Sequence, residues 1–235
     1  MIKLILFDLD GTLLPLDQKK FVDLYVDGIT KKAAKQGYDK DVFGKNLWKA
    51  INNMAKNDGK QSNEDVFWAT FTQEYGTPTQ DDKDFFIDYY VNEFSLTKKS
   101  AGYEPMSRCV IDILKAKGYK LVLATQPVFP AIATETRMRW AGLDREDFEL
   151  YTTFENSNYT KPNPEYYKAI LKRFDCKPQD CLMVGNDVDD DMIAGTLGIN
   201  TFLLTNNLIN KNNVDINQFK HGNFNDLLTY IDSLQ

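Results

Sequence analysis

The chemistry of this chain is concentrated in five consecutive residues, Asp8-Leu9-Asp10-Gly11-Thr12, which follow an apolar run, Met1 to Phe7, broken only by Lys3. A run this apolar reads as a central strand of a parallel sheet, and its carboxyl end is where open α/β sheets bind ligands. Two acids on the rim of a buried strand are costly unless something positive lies between them. A hard divalent cation with oxygen ligands meets that need. Three further segments carry candidate residues. Thr125 and Gln126 close the run Tyr119 to Ala124. Lys161 precedes Pro162 and Pro164, just ahead of an amphipathic stretch in which Tyr167, Ile170, Leu171 and Phe174 recur at helical spacing. An ammonium at a helix start is well placed to meet an anion, since the helix N-terminus adds its own positive end. The run Cys181 to Val184 leads into Gly185, Asn186 and four aspartates, Asp187, Asp189, Asp190 and Asp191. Such a cluster repels itself unless it is solvated or metal-bound.

In order and character these four segments resemble the four motifs of the haloacid dehalogenase superfamily, most of whose members transfer phosphoryl groups through an aspartyl phosphate. The resemblance implies that Asp8 is the nucleophile and Asp10 the general acid/base. It also implies that Thr125 and the N–H of Gln126 hold a phosphate oxygen, and that Lys161 pairs with the nucleophile and the phosphate. The residue types suit those roles. A carboxylate attacking phosphorus splits one hard hydrolysis into two easier steps, and a second carboxyl can protonate the leaving oxygen and later activate water. Retention of the second aspartate favours phosphate-ester chemistry over the dehalogenase and phosphonate-cleaving branches. Two positions depart from the family pattern. Gln126 stands where Asn is usual, and the Gly-Asp of the fourth motif has no single register here. Counted from Gly185, Asn186 takes the metal-binding place; counted back from Asp191, Asp187 does. An anionic oxygen binds magnesium better than an amide oxygen, which leans the choice to Asp187. Asp8 and Asp10 complete the implied Mg2+ site, with Asp191 acting on Lys161 or on a ligand from behind.

The elements that must position these residues alternate along the chain. A helix follows Pro105, then come a strand over 119–125, a helix over 129–141, a strand over 148–153, the Lys161 helix, a strand over 181–185, a helix over MIAGTLGI and a strand over 200–204. That alternation predicts an α/β fold with a doubly wound, Rossmann-like parallel sheet. Its core would comprise residues 1–14 and 100–235. Residues 15–98 read as an all-helical cap, with helices near 18–36, 40–57, 62–75 and 80–95. The cap's aromatics, among them Trp48, Trp68, Phe85, Phe86, Tyr89 and Tyr90, read first as a bundle core. A helical insert directly after the catalytic strand is expected to hang over it as a lid, with hinges near residues 14–16 and 97–102.

Composition removes several other classes. At 235 residues, 43% hydrophobic and 26% charged, the chain can bury a full core. A net charge of −6 argues against nucleic acid as a partner, whereas a small phosphorylated metabolite is compatible because a cation and Lys161 can reverse the field locally. No apolar stretch reaches the length of a membrane span, and Lys3, Asp8 and Asp10 interrupt anything resembling a signal peptide. Cys109, Cys176 and Cys181 form no CxxC pair, which argues against a disulfide framework or zinc site and for the cytoplasm. Cys109 reads as a packing residue on the apolar side of its helix. The single histidine, His221, leaves no Ser/His/Asp or Cys/His triad to assemble. The expectation is a magnesium-dependent phosphohydrolase acting on a small phosphate monoester. A sugar phosphomutase of the same superfamily is the alternative, and a non-catalytic binding protein retaining the fold a remoter one. Neither the substrate nor the oligomeric state is legible.

Overall fold

The computed structural model describes residues 2–234. The chain opens with β1 (Leu4–Phe7) and passes into four helices, α1 (Gln18–Lys35), α2 (Lys40–Ala55), α3 (Asn63–Tyr75) and α4 (Gln80–Asn92). A 3-10 segment, Phe94–Ser100, leads back to α5 (Pro105–Ala116), β2 (Lys120–Leu123), α6 (Ala131–Trp140), β3 (Leu150–Tyr151) and α7 (Pro164–Arg173). After these come β4 (Cys181–Gly185), β5 (Asn200–Leu204), β6 (His221–Gly222) and α8 (Phe224–Ser233). The strands pair in parallel in the order β3-β2-β1-β4-β5-β6. The fold is thus the α/β, doubly wound arrangement.

Strand β1 shows why. Leu4 and Leu6 face one way, onto Tyr166, Tyr167, Ile170 and Leu171 of α7, while Ile5 and Phe7 face a second cluster that includes Val110, Ile111 and Leu114 of α5 and Leu227 and Ile231 of α8. All four β1 residues are buried, so an alternating pattern would have left one face polar without cause; the continuous apolar run is what a sheet covered on both sides requires. The second cluster continues into the helical segment, where Phe43, Phe71, Tyr75, Phe85 and Phe86 pack edge to face and tilted. The two chain crossings between helical segment and sheet lie side by side. Asp17 N–H donates to Ser100 O at 3.0 Å and Gly102 N–H to Pro15 O at 2.8 Å.

Several elements differ from the sequence reading. β3 keeps only two residues of the 148–153 run. MIAGTLGI forms a 3-10 segment, Met192–Leu197, rather than an α-helix; Gly195, Thr196 and Gly198 are poor helix formers, and Gly198 at φ 84° ends the turn. β6 and α8 went unanticipated, although Phe224, Leu227 and Ile231 sit at helical spacing and are buried. Cys109 is exposed rather than packed, because α5 turns Ser107, Val110, Ile111 and Leu114 inward. Among the described residues no helix is long and apolar enough to cross a membrane.

Candidate active site

Three chemistry-bearing residues leave the sheet together because their strands are neighbours in register. Phe7 pairs with Leu123 of β2 and with Val184 of β4, so Asp8, Thr125 and Asn186 follow within two residues of the same level on the carboxyl rim. Asp8 N–H donates to Val184 O at 2.9 Å, which carries the main chain one step past the ladder. Gly11, at φ 90°, then turns it back, and a Cβ there would meet the Asn186 amide at 2.3 Å. The turn brings Thr12 Oγ1 to 3.1 Å from Asp8 Oδ2 and 2.9 Å from Asn186 Oδ1, so one buried hydroxyl proton serves two oxygens. The amide's Nδ2 donates to Asn207 O at 2.7 Å, which fixes the Asn186 oxygen toward Thr12.

Lys161 lies against the nucleophile candidate. Its Nζ is 2.8 Å from Asp8 Oδ1 and 2.7 Å from Asp191 Oδ1, and the residue is buried. Burial alone would depress this ammonium, but Asp191 and Asp8 outweigh it and hold Lys161 well above its ordinary value. Burial, reinforced by Asp8 and opposed by Lys161, raises the Asp191 carboxyl. Asp191 is itself fixed by Asp187 N–H, which donates to its Oδ2 at 3.0 Å, and by Gly185, where any Cβ would fall 2.1 Å from that same oxygen. Gln126 reaches the Lys161 main chain. Its Nε2 donates to Lys161 O at 3.1 Å and its Oε1 accepts from Lys161 N–H at 3.0 Å. The glutamine thus clamps the second motif to the third, a contact the sequence did not announce. Thr125 is held through its carbonyl, which accepts from Thr152 Oγ1 at 2.8 Å and Tyr166 OH at 2.9 Å. Its own Oγ1 is buried without a hydrogen-bond partner among the described residues.

Arg137 of α6 is the functional candidate that sequence reasoning missed. The side chain is almost fully buried and ion-paired through Nη1 to Asp10 Oδ2. Its guanidinium lies 4.8 Å from the Phe129 ring centroid and 5.8 Å from that of Phe21, a stacking geometry suited to a planar cation. Asp10 Oδ1 has no partner among the described residues. Burial raises the Asp10 carboxyl above its ordinary value, Arg137 opposes this, and Asp8 adds to it. In the sequence Arg137 is one cation among many on an exposed-looking helix; only its position three residues before Trp140 hinted at burial.

The acidic cluster separates into distinct tasks. Asp187 Oδ1 accepts from the N–H groups of Asp189 at 2.8 Å and Asp190 at 3.1 Å, capping the turn that follows β4. Burial, with Asp187 nearby, raises the Asp190 carboxyl. Among the described residues no three carboxylates, thiols or imidazoles converge as a metal group, so Asp8, Asp10 and Asp187 do not assemble into a three-carboxylate site. The donor set around Asp8 is nonetheless suited to a hard cation. It offers a carboxylate oxygen and an amide oxygen bridged by Thr12, few ligands from protein, as a magnesium ion that keeps several waters requires. His221 is exposed in β6, away from these residues.

The sequence matches the haloacid dehalogenase-like hydrolase family over residues 2–198. The chain belongs to that family. It is 27% identical over 142 residues to the glyceraldehyde 3-phosphate phosphatase of Methanothermobacter thermautotrophicus, an alignment that takes in 55% of this chain and 58% of that protein. It is 33% identical over 82 residues to the pyrophosphatase PpaX of Bacillus cereus, covering 35% of this chain and 36% of the relative. The matched part thus spans little more than half the length of the first relative and about a third of the second. Over their whole lengths, solved structures share the fold. A haloacid dehalogenase-type phosphatase of Thermococcus onnurineus superposes with a TM-score of 0.59 at 20% identity, covering 98% of each chain. A 2-haloacid dehalogenase of Pseudomonas syringae does so at 0.62 and 18%, covering 100% of each.

Proposed function

We propose that this chain is a divalent-cation-dependent phosphohydrolase that acts on a phosphate monoester through an aspartyl phosphate formed on Asp8. One observation carries the reading: on the rim where a buried carboxylate is ion-paired to Lys161, the buried hydroxyl Thr125 Oγ1 and one oxygen of the acid Asp10 have no hydrogen-bond partner among the described residues. The orphan hydroxyl is a donor waiting for an oxygen, and a phosphoryl group supplies three.

In this reading Asp8 attacks phosphorus while Lys161 and Thr125 hold the transferring oxygens, and Asp10 protonates the leaving oxygen and then takes a proton from water. Gln126 contributes its N–H and, through its clamp, the placement of Lys161. Charge counting supports a cation. Three carboxylates, Asp8, Asp10 and Asp191, already share Lys161 and Arg137, so neither cation is left unpaired to meet a phosphate dianion. Asp8 and Asn186, linked through Thr12, would hold Mg2+, with the Asp10 carboxylate turned to Arg137. The ion would supply charge neutralisation between nucleophile and phosphate. Asn186 is favoured over Asp187 because its oxygen shares Thr12 with Asp8, whereas Asp187 is spent on its turn. We further propose that residues 15–98 act as the lid, moving about the paired crossings at Pro15 and Ser100. The substrate would be a small phosphate monoester.

The test is a panel of phosphate esters with the purified chain. Turnover with magnesium, none in chelator and none in a folded Asp8→Asn variant support the mechanism. Failure of every ester, activated aryl phosphates included, would refute the phosphatase reading, and full activity in chelator would refute the cation.

A further inference from the structure

A cavity of about 420 Å³ lies where α2, α3 and α4 meet the loops that follow β2 and β3, within the size range of small-molecule sites. Its walls are largely apolar, with Ile51, Met54, Phe67, Trp68, Phe86 and Val128 among the residues that line it. The charged groups on its lining are Glu64, Glu155 and Lys83. Glu155 is committed, accepting from Ala131 N–H at 2.9 Å, and burial raises the Glu64 carboxyl. Among the described residues no arginine or histidine lines it, so a second phosphate or a carboxylate placed there would face net negative charge. The cavity also has a defined relation to the chemistry. Phe129 forms part of its wall, and the same ring carries the Arg137 guanidinium at 4.8 Å; Arg137 in turn pairs with Asp10. One ring and one guanidinium therefore separate the cavity from the residue that protonates the leaving oxygen.

We propose that this cavity is the leaving-group site and that it takes an uncharged apolar alcohol, alkyl or aryl, so that the substrate is a hydrophobic phosphate monoester rather than a sugar phosphate, a bisphosphate or pyrophosphate. The inference rests on the phosphohydrolase reading. Phe129 and Arg137 lie between the cavity and Asp10, so the alcohol reaches the cavity past both side chains, and its ester oxygen lies between phosphorus and that acid. In the reaction the P–O bond to the alcohol breaks as the Asp8–phosphorus bond forms, and the proton of Asp10 goes to the alcohol oxygen.

The experiment measures kcat/KM of the full chain with magnesium for n-alkyl phosphates from ethyl to octyl, beside glycerol phosphate and pyrophosphate. Burial of each methylene is worth ~0.8 kcal/mol, which at 1.4 kcal/mol per tenfold gives a rise of about fourfold per methylene until the cavity is full. Ile51→Trp, which adds bulk to the lining, should flatten the length dependence, lowering hexyl and octyl phosphate relative to ethyl phosphate. A folded enzyme that hydrolyses the series with no dependence on length, or prefers pyrophosphate, overturns the proposal while leaving the phosphatase reading intact. Should no ester be turned over, calorimetric titration of the intact chain with ethyl and octyl phosphate decides the cavity by itself. Tighter binding of octyl phosphate, lost in Ile51→Trp, supports the site, and equal or absent binding refutes it.

Discussion

Replacing Arg137 by Met isolates the charge that the fold buries beside Asp10. The thioether chain keeps apolar contact with Phe129 and Phe21, so the loss is chiefly electrostatic. Asp10 already has one oxygen without a partner among the described residues, and the substitution would strip the other of its guanidinium. Breaking a buried pair from one side typically costs about 3–5 kcal/mol, and the lost contact with two rings adds on the order of 1 kcal/mol. The sign of the pH dependence follows from Asp10, whose folded carboxyl lies above its ordinary value of 3.8. Between those two values the folded state binds more protons than the unfolded, so stability falls as pH rises. Without Arg137 the folded value climbs further. The penalty of Arg137→Met should therefore be small below the ordinary aspartate value, where Asp10 is neutral in both states, and grow with pH until the variant's own folded value is passed. Urea unfolding across pH, with the Asp10→Asn/Arg137→Met pair alongside, measures this directly. The double variant should recover most of the loss at neutral pH because no uncompensated charge remains. A single variant within about 1 kcal/mol of the parent at neutral pH, or a double variant no more stable than the single, would refute the coupling.

Gln126→Ala removes both bonds to the Lys161 main chain; at ~0.5–1.5 kcal/mol each, the variant should lose about 1–3 kcal/mol of stability, and kcat should fall because Lys161 loses its placement. Gln126→Asn, one methylene shorter, should restore neither bond, and full activity in it would show that the clamp is dispensable. Gly185→Ala forces Asp191 aside, since the new Cβ would lie 2.1 Å from its Oδ2; a loss of about 1–3 kcal/mol is expected, together with activity, and an unchanged thermal melt would contradict the packing. Magnesium titration should separate Asn186→Ala from Asp187→Ala, the first weakening metal affinity at least tenfold and the second chiefly costing ~1 kcal/mol of stability through its lost turn cap. The reverse order would return the ligand role to Asp187.

The sheet was legible because burial on both faces leaves a continuous apolar signature, and Leu4–Phe7 and Cys181–Gly185 carry it without interruption. Where burial is partial the signature fails. β3 keeps Leu150 buried but Tyr151 only in part, and although Thr152 N–H still donates to Leu123 O, Thr153 N–H turns to the Asn156 side chain, which ends the pairing. The 3-10 segment after Asp191 escaped for a related reason. Its apolar residues have helical spacing, but spacing does not report the glycines' cost or the pull of Lys161 on the carboxylate immediately before it.

The site was legible in its acids and its lysine because a spacing of two, Asp8 to Asp10, or a rigid KPNP frame is a local feature. Arg137 and Gln126 act at a distance. Arg137 meets Asp10 across 127 positions of sequence and Gln126 meets Lys161 across 35, and neither partner alters the local pattern around the other. What would have exposed Arg137 is an energetic argument. Asp8 and Asp10 together on a buried rim demand positive charge, and Lys161 was already assigned to Asp8. A second fixed cation near Asp10 was therefore owed whether or not a metal binds. Charge accounting over the whole rim, rather than motif by motif, reaches that residue's chemical type from sequence, although only the fold of α6 across Phe129 decides which of the chain's arginines fills the place.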